Sequence, residues 1–232
     1  MDQPRPLAVL LALDEEACIA HTVREVKVAL PDADVLVVDD GSSDDTAREA
    51  LTAGAMVARH PINLGVSAAE ATGLSYAHRE GYSAVVRMDG DGQHDPVFAS
   101  ALLSAVRDGA DLAVGTRFAE LRSFESTALR RAGNAFLSSV VSALCGQKVT
   151  DPTSGFRAFS ARGAAFFAGV HPHDYPEPES LLMAHRQGFR IREVPVRMRA
   201  RTTGKSSLTP GRSAYYMVKT SLALTLELLR AR

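Results

Sequence analysis

Five short apolar runs recur along the first half of the chain, and their spacing constrains the fold more than any other sequence feature. Each run is continuously hydrophobic rather than alternating, which is typical of strands buried on both faces of a parallel sheet. The runs occupy residues 7–13, 35–38, 56–58, 84–86 and 112–114. Helical patterns fill the intervals, at residues 15–30, 44–53, 67–79 and 96–107. This alternation predicts an α/β fold with a Rossmann-like, mostly parallel central sheet flanked by helices.

Three of these helical patterns carry start signals. Ser43 precedes the second pattern, Ser67 opens the third, and Asp95 with Pro96 stands at the start of the fourth. Serine and aspartate accept hydrogen bonds from the first amides of a helix, and proline is favoured at its first position. We therefore expect these residues to begin their helices.

The second half of the chain is less regular. We expect helices at residues 125–144, 179–186 and 213–230, strands at residues 156–159 and 191–197, and a loop at residues 200–210. No linker separates the two halves, so the sequence predicts one domain over residues 1–232.

Composition and charge indicate the size of the domain, the state of its cysteines and the kind of ligand that each half suits. With 232 residues, 46% of them hydrophobic, the chain is long enough to bury the core of one large domain. Cys18 and Cys145 give neither a disulfide framework nor metal-ligand spacing, so we expect buried thiols in a reducing compartment. Residues 1–111 carry 19 acidic and 8 basic side chains, and residues 112–232 carry 8 acidic and 18 basic. The first half therefore suits a cation, and the second suits phosphate or an anionic surface.

Two acidic motifs follow predicted strands, at the edge where open α/β sheets bind ligands. Asp39 and Asp40 end the second strand, and they either accept hydrogen bonds from a nucleoside or cap the next helix. Asp89 and Asp91 end the fourth strand, and Gln93 follows them. Their oxygens suit Mg²⁺ or Mn²⁺, which would neutralise a departing nucleoside diphosphate. A solvated turn is the alternative.

Several enzyme classes are excluded by motif order. The Asp-Gly-Asp-Gly run at residues 89–92 is similar to the haloacid dehalogenase motif, but that motif belongs at the first strand and precedes its acidic pair. Residues 7–16 contain no glycine, which excludes the early glycine-rich loop of nucleotidyltransferases and of NAD-dependent oxidoreductases. His94 is open to two interpretations, a contact with the metal or diphosphate, or a turn histidine bonded to the backbone.

Nine motifs in this order give the sequence a specific resemblance. It resembles the family 2 glycosyltransferases of the GT-A fold, and within them the polyprenyl-phosphate branch that is similar to dolichol-phosphate mannose synthase. The motifs are Asp14-Glu15-Glu16, Val37-Val38-Asp39-Asp40-Gly41-Ser42, Asn63-Leu64-Gly65, Asp89-Gly90-Asp91-Gly92-Gln93, Gly115-Thr116-Arg117-Phe118, Asp151-Pro152-Thr153-Ser154-Gly155-Phe156-Arg157, Glu177-Pro178-Glu179, Glu193-Val194-Pro195-Val196 and Arg201-Thr202-Thr203-Gly204-Lys205-Ser206.

The resemblance implies a division of labour along the chain. Residues 1–116 would bind the nucleotide sugar, 117–212 the acceptor, and 213–232 would form an amphipathic helix. The implied donor-binding residues are Leu11, Leu13, Asp14, Glu15, Asp39, Asp40, Asp89, Gly90 and Asp91. The implied ligands of Mg²⁺ or Mn²⁺ are Asp89, Asp91 and Gln93. The implied catalytic residues are Asp91, Arg117, Arg131, Arg201 and Lys205. Arg117 and Arg131 would face the acceptor phosphate, and Arg201 and Lys205 would close over the diphosphate.

Two positions depart from the branch. Residues 11–14 replace its usual proline, aromatic residue and Asn-Glu pair, so the choice between guanine and uracil stays open. Ala135 stands where a hydroxyl would suit phosphate binding.

The expected activity is inverting transfer of a hexose, from a donor of the GDP-mannose or UDP-glucose type, to polyprenyl phosphate at the cytoplasmic membrane face. A phosphate oxyanion needs no general base. A saccharide hydroxyl would need one, with Asp151, Glu177 or Glu179 as candidates. A catalytically silent, membrane-associated module that binds nucleotide sugars is the alternative from another class.

The final segment bears on membrane attachment. Residues 213–230 are strongly apolar, but Lys219 and Glu227 interrupt them, so we expect a helix that lies on the membrane rather than one that spans it. A core or dimer helix is the alternative. We expect a peripheral protein that pairs with a membrane protein or with itself, and no nucleic acid partner.

Overall fold

The structure, a computed structural model, describes residues 5–117, 128–170 and 176–199. Its sheet has seven strands in the order β3-β2-β1-β4-β6-β5-β7. All neighbouring pairs are parallel except those of β6, which runs antiparallel between β4 and β5. The strands are β1 Pro6–Ala12, β2 Asp34–Asp39, β3 Met56–Arg59, β4 Ala84–Asp89, β5 Leu112–Thr116, β6 Arg157–Ser160 and β7 Ile191–Pro195. The predicted mostly parallel α/β sheet is confirmed.

Helices cover both faces of this sheet. They are α1 Ile19–Ala29, α2 Thr46–Thr52, α3 Val66–Arg79, α4 Ala99–Arg107, α5 Ala128–Cys145, α6 Ala161–Gly169 and α7 Pro176–Arg186, with a 3₁₀ turn at Pro96–Phe98. Val9 packs with the cluster under α3, α5, α6 and α7, whereas the next residue, Leu10, packs with the cluster under α1, α2 and α4. Because successive strand residues face opposite sides, burial on both sides explains the continuous apolar runs.

Helix α6 was missed by the sequence analysis. It follows β6 without a loop, and the Ser160 hydroxyl caps it by accepting a hydrogen bond from the Gly163 amide at 3.0 Å. Its sequence, ARGAAFFAG, has little contrast between a polar and an apolar side. Periodicity therefore gives little signal here, and the Ser160 cap was the available clue.

The first helix starts later than expected. Residues 13–18 form a turn, and α1 begins at Ile19 rather than near residue 15. The amides of this turn bind the loop after β2: Glu15 donates to Thr46 Oγ1 at 2.8 Å, and Glu16 donates to Asp44 Oδ2 at 3.0 Å. These long-range bonds hold residues 13–18 as a turn, so the helix begins after it.

Two predicted start signals are wrong and one is confirmed. Helix α2 begins at Thr46, whose amide donates to Asp44, while Ser43 donates to Asp14 instead. Helix α3 begins at Val66, before Ser67, so Ser67 does not cap it. Asp95 accepts a hydrogen bond from the Val97 amide at 3.2 Å, with Pro96 at the first position, as expected.

Candidate active site

The carboxyl ends of β1, β2 and β4 bring both acidic motifs to one edge of the sheet. Asp39 pairs in register with Ala12, and Asp89 pairs with Leu11, so β1 lies between the two carboxylates. Beyond the strands, the Gly90 amide donates to Leu11 O at 2.7 Å, and the Asp40 amide donates to Ala12 O at 2.9 Å. The predicted donor-binding residues of these three strands therefore lie together.

The turn after β1 folds onto the loop after β2. Asp14, in the left-handed backbone region (φ 54°), donates its amide to Ser42 Oγ at 2.9 Å. Its Oδ1 accepts from the Ser43 amide at 2.8 Å. Leu13 is exposed, and Glu15 accepts a hydrogen bond from the Cys18 thiol at 3.1 Å. The turn thus holds Leu13, Asp14 and Glu15 against the segment that follows the Asp39-Asp40 pair, and their contact with a donor stays a prediction.

The two adjacent aspartates have different surroundings, and Asp40 is engaged by the protein. Its carboxylate accepts from His60 at 2.7 Å and from the amides of Leu64 and Gly65 at 2.9 and 2.8 Å. Gly41 (φ 80°) completes this close approach, because a Cβ there would clash with the backbone of Ile62. Asp40 therefore organises the loop at residues 60–65.

Asp39 keeps one oxygen that accepts no hydrogen bond among the described residues. Its Oδ1 accepts from the Ser42 amide at 2.9 Å. Its Oδ2 is buried and lies 3.1 Å from Arg59 Nε, without hydrogen-bond geometry. A buried carboxylate oxygen with this unused capacity is suited to an N–H or O–H donor on a ligand. Of the two aspartates, Asp39 has the chemistry predicted for a nucleoside contact.

The predicted metal motif forms a tight turn after β4. The Asp89 side chain is 39% exposed, and its Oδ1 lies 3.0 Å from an Nη2 of Arg87. Asp91 is buried, and its Oδ1 accepts from the Gln93 amide at 3.0 Å. Gly92 (φ 74°) supplies the conformation that the turn requires.

Helix α1 holds this turn from one side. The Thr22 hydroxyl lies 3.3 Å from Gly90 O, and the Cys18 thiol lies 3.6 Å from the same atom. A Cβ on Gly90 would lie 3.0 Å from both Ile19 Cδ1 and Leu11 O, so glycine allows the helix to pack closely. The turn is therefore fixed by the protein itself.

His94 is buried beneath the turn and bonds to its backbone. Its Nδ1 accepts from the Asp89 amide at 2.9 Å, and its ring stacks on Phe156 with centroids 4.8 Å apart. Burial lowers the pKa of His94, which favours the neutral ring with its proton on Nε2. Of the two interpretations left open by the sequence, the backbone-bonded one describes this residue.

The acidic motif fits a divalent cation that binds together with a diphosphate. Across residues 5–117, 128–170 and 176–199, no cluster of three His, Cys, Asp or Glu side chains is placed to hold an ion. Mg²⁺ in nucleotide sites commonly takes one or two carboxylates and completes its shell with phosphate oxygens and water. The exposed Asp89 carboxylate and the neighbouring Asp91 supply that number.

Arg117 is fixed by a buried carboxylate. Its Nε and Nη2 donate to the two oxygens of Asp151 at 2.6 and 2.7 Å, and Nη2 also reaches Thr153 Oγ1 at 2.8 Å. Burial alone would lower the pKa of Arg117, but the hydrogen bond and charge of Asp151 raise it above its usual value. Asp151 is held in turn, because Glu193 accepts from its amide at 3.0 Å and from the Thr150 amide at 2.7 Å.

Two buried arginines, which the sequence analysis gave no role, lie at the base of the site. Arg157 donates to Ser154 O at 2.8 Å, to Glu177 O at 2.7 Å and to Ser180 Oγ. Arg87 contacts Asp89 directly. A lone charged residue in an apolar strand, two positions before a site aspartate and hence on the same face, was the signal for Arg87.

The remaining predicted residues are only partly described. Arg131 lies in α5, but its side chain is outside the described part, and so are Arg201, Lys205 and the segment 213–232. The chain reaches residue 199 next to the metal motif: the Arg199 amide donates to Gln93 O at 2.8 Å, and its guanidinium binds Glu25 and Asp95. Among the helices described, none has the length and hydropathy needed to cross a membrane.

A family model gives this geometry its context. The model of glycosyl transferase family 2 matches residues 8–165, which run from within β1 to within α6 and include both acidic motifs. The chain belongs to glycosyl transferase family 2. The resemblance inferred from the motifs is confirmed.

Curated members of this family come from the predicted branch. Polyprenol monophosphomannose synthase of Mycolicibacterium smegmatis is 32% identical over an alignment that covers 88% of this chain and 81% of the relative. Undecaprenyl-phosphate mannosyltransferase of Micrococcus luteus is 30% identical over an alignment that covers 98% of each chain.

Solved structures share the fold. Glucosyl-3-phosphoglycerate synthase from Mycobacterium tuberculosis, crystallised with Mn²⁺, UDP and glucosyl-3-phosphoglycerate, superposes with a TM-score of 0.72. It is 22% identical, and the match covers 97% of this chain and 79% of that one. The predicted GT-A fold is confirmed.

Proposed function

We propose that this family 2 glycosyltransferase is a metal-dependent, inverting enzyme that transfers a hexose from a nucleoside diphosphate sugar to a polyprenyl phosphate. The observation that carries the proposal is the sheet edge itself, where β1 separates the Asp39 and Asp89 carboxylates in a fixed register. One carboxylate suits the nucleoside and the other suits the cation on its diphosphate. The names of the polyprenol and undecaprenyl-phosphate relatives support the acceptor.

Residues 1–116 bind the donor in this proposal. Asp39 accepts from the base or ribose through its buried Oδ2. Leu13, Asp14 and Glu15 contribute from the turn after β1, whereas Leu11 contributes through the strand backbone, because its side chain packs in the core under α3. Asp40 contributes by shaping the loop at residues 60–65. The relatives named for mannose and the neighbour solved with UDP support donors of the GDP-mannose or UDP-glucose type without deciding between them.

Asp89 and Asp91, with Gln93, hold Mg²⁺ or Mn²⁺ in this proposal. The ion supplies positive charge where the departing diphosphate becomes negative. The fold neighbour solved with Mn²⁺ and UDP, and again with Mg²⁺ and UDP, supports a divalent cation. Gly90 and Gly92 allow the diphosphate to approach the backbone of the turn.

On the acceptor side, one of the three candidate bases for a saccharide hydroxyl is already engaged, which supports a phosphate acceptor and leaves Glu177 and Glu179 as candidates. Asp151, one candidate base for a hydroxyl, is fully buried and both its oxygens bind Arg117. A phosphate oxyanion attacks the anomeric carbon without a base, and the carbon–oxygen bond to the diphosphate breaks on the opposite side. Arg117 and Arg131 face the acceptor phosphate in this proposal, and Arg201 and Lys205 the diphosphate.

The proposed place of action is the cytoplasmic face of a membrane. Residues 117–212 form the acceptor half, and residues 213–232 attach the protein peripherally as an amphipathic helix. A membrane protein or a second copy of the chain is the proposed partner. The lipid acceptors in the relatives' names support this location.

Nucleotide release tests the proposal. Purified protein is incubated with Mn²⁺ or Mg²⁺ and a panel of GDP- and UDP-sugars, with and without a polyprenyl phosphate. We expect release from one donor that requires the lipid phosphate and disappears in Asp91→Ala. Release that depends on a saccharide would reject polyprenyl phosphate as the acceptor in favour of a saccharide hydroxyl. Donor binding without any transfer would support the catalytically silent module that binds nucleotide sugars.

A further inference from the structure

A buried cation lies directly behind the metal motif. The Arg87 side chain is 3% exposed, and its Nη2 lies 3.0 Å from Asp89 Oδ1. Its Nε lies 3.5 Å from Oε2 of Glu70, which is buried on α3. The guanidinium therefore lies between the carboxyl groups of Asp89 and Glu70.

The loop before β6 is built around this side chain. Arg87 Nη1 donates to Gly155 O, and a Cβ on Gly155 would clash with the same nitrogen. The position of the Arg87 side chain therefore requires glycine at residue 155. Strand β4, helix α3 and the loop at residues 151–156 all converge on one guanidinium, which fixes its direction toward Asp89.

We infer that Arg87 is a positioning residue for the proposed metal ligand Asp89, which makes this inference rest on the proposed function. The partly exposed Asp89 carboxylate has several staggered orientations open to it, and its neighbours include Arg87 at Oδ1 and His94, whose Nε2 lies 3.7 Å from Oδ2. The contact to Oδ1 holds the side chain in one of them and presents it to the cation already oriented. Such outer partners typically set metal affinity by about 10- to 100-fold.

Arg87→Met with Glu70→Gln removes the contact to Asp89 together with the buried carboxyl group that faces Arg87, whose pKa is raised by burial. Arg87→Lys, which keeps the positive charge and loses the fork, separates positioning from charge. Glu70→Gln alone leaves the Arg87–Asp89 contact in place and is the matched control. Thermal unfolding without metal reports how far each variant is destabilised.

Mn²⁺ binding in the presence of GDP or UDP, measured by titration calorimetry, is the readout. We expect the double variant to bind Mn²⁺ about 10- to 100-fold more weakly than the parent, and Glu70→Gln to stay within about threefold. Nucleotide affinity measured without metal should be equal in all three proteins. A purely structural role for Arg87 would lower the unfolding temperature and leave Mn²⁺ affinity unchanged.

Three results would overturn the inference. Equal Mn²⁺ affinity in the parent and the double variant would reject it and leave the proposed function intact. If the parent protein binds no Mn²⁺ with either nucleotide, both the inference and the proposed metal-dependent function are rejected. If the double variant does not fold, Arg87→Lys decides, because lysine keeps the charge and loses the fork: unchanged Mn²⁺ affinity in that variant also rejects the inference.

Discussion

In the proposed function, the site has a donor side at Asp39 and Asp89 and an acceptor side at Arg117. The two sides differ in how much of their charged groups a ligand can still reach. On the donor side, Asp39 keeps a buried oxygen that accepts no hydrogen bond among the described residues, and Asp89 is 39% exposed. On the acceptor side, Arg117 is already paired with Asp151, which is held by Glu193. In the proposed function, the donor side therefore offers a buried oxygen of Asp39 and a partly exposed Asp89 carboxylate to a ligand that brings N–H groups and a cation, whereas the acceptor side holds Arg117 through a buried carboxylate of its own.

The comparison predicts that the acceptor side is where a charge change most affects stability. Asp151→Asn leaves the Arg117 guanidinium buried without its counter-charge, so we expect the free energy of unfolding to fall by about 3–5 kcal/mol. Urea unfolding followed by circular dichroism measures it. A loss below about 1 kcal/mol would mean that the pair is not the anchor of Arg117.

On the donor side, the same kind of change should affect activity as well as stability. Asp89→Ala removes a proposed ligand of the cation on the diphosphate, and we expect kcat/KM for lipid-dependent nucleotide release to fall by about 10²–10³-fold. Its urea midpoint should also fall, because the buried Arg87 loses a carboxylate partner, so activity is compared without denaturant under conditions in which both proteins are folded. Activity within a few-fold of the parent would exclude Asp89 from the cation site.

The adjacent aspartates sharpen the comparison within the donor side. Asp39→Asn should weaken donor binding by about 1.5–3 kcal/mol, the value of a hydrogen bond to a charged group, while Asp40→Asn should mainly lower stability because it disturbs the loop at residues 60–65. Donor affinity by calorimetry and unfolding in urea separate the two. The same profile in both variants would contradict the assignment.

The smallest effect is expected far from both sides. Ser160→Ala removes the cap of α6, so we expect the free energy of unfolding to fall by about 1 kcal/mol. Donor affinity and nucleotide release at low temperature should match the parent. This variant shows how an ordinary loss of stability appears in the same assays, and a fall in kcat/KM here would weaken the comparison between the two sides.

The sequence predicted the donor side better than the acceptor side, for a physical reason. Runs such as Val35–Val38 mark strands covered on both faces, and acids that follow them must reach the carboxyl edge of a parallel sheet. Strand β6, in contrast, enters the sheet antiparallel between β4 and β5, and no local pattern in Arg157–Ser160 specifies those neighbours. That insertion is what buries Arg157.

Local sequence patterns also do not predict which charged side chains of the site form hydrogen bonds within the protein. Asp39 and Asp40 are identical neighbours, and their difference is made by Leu64 and Gly65, more than 20 residues away. Arg117 meets a carboxylate 34 positions later in the chain. Such choices are made by tertiary contacts, so a sequence motif identifies the residues of a site without assigning the role of each.

The product of the reaction tests the central claim most directly. The protein is incubated with the preferred donor, Mn²⁺ and a polyprenyl phosphate, and the lipid product is examined by mass spectrometry and by NMR of its anomeric proton. The account predicts one hexose bound through its anomeric carbon to the lipid phosphate, with the configuration inverted relative to the donor. A retained configuration, or a sugar joined to a hydroxyl group, would contradict it.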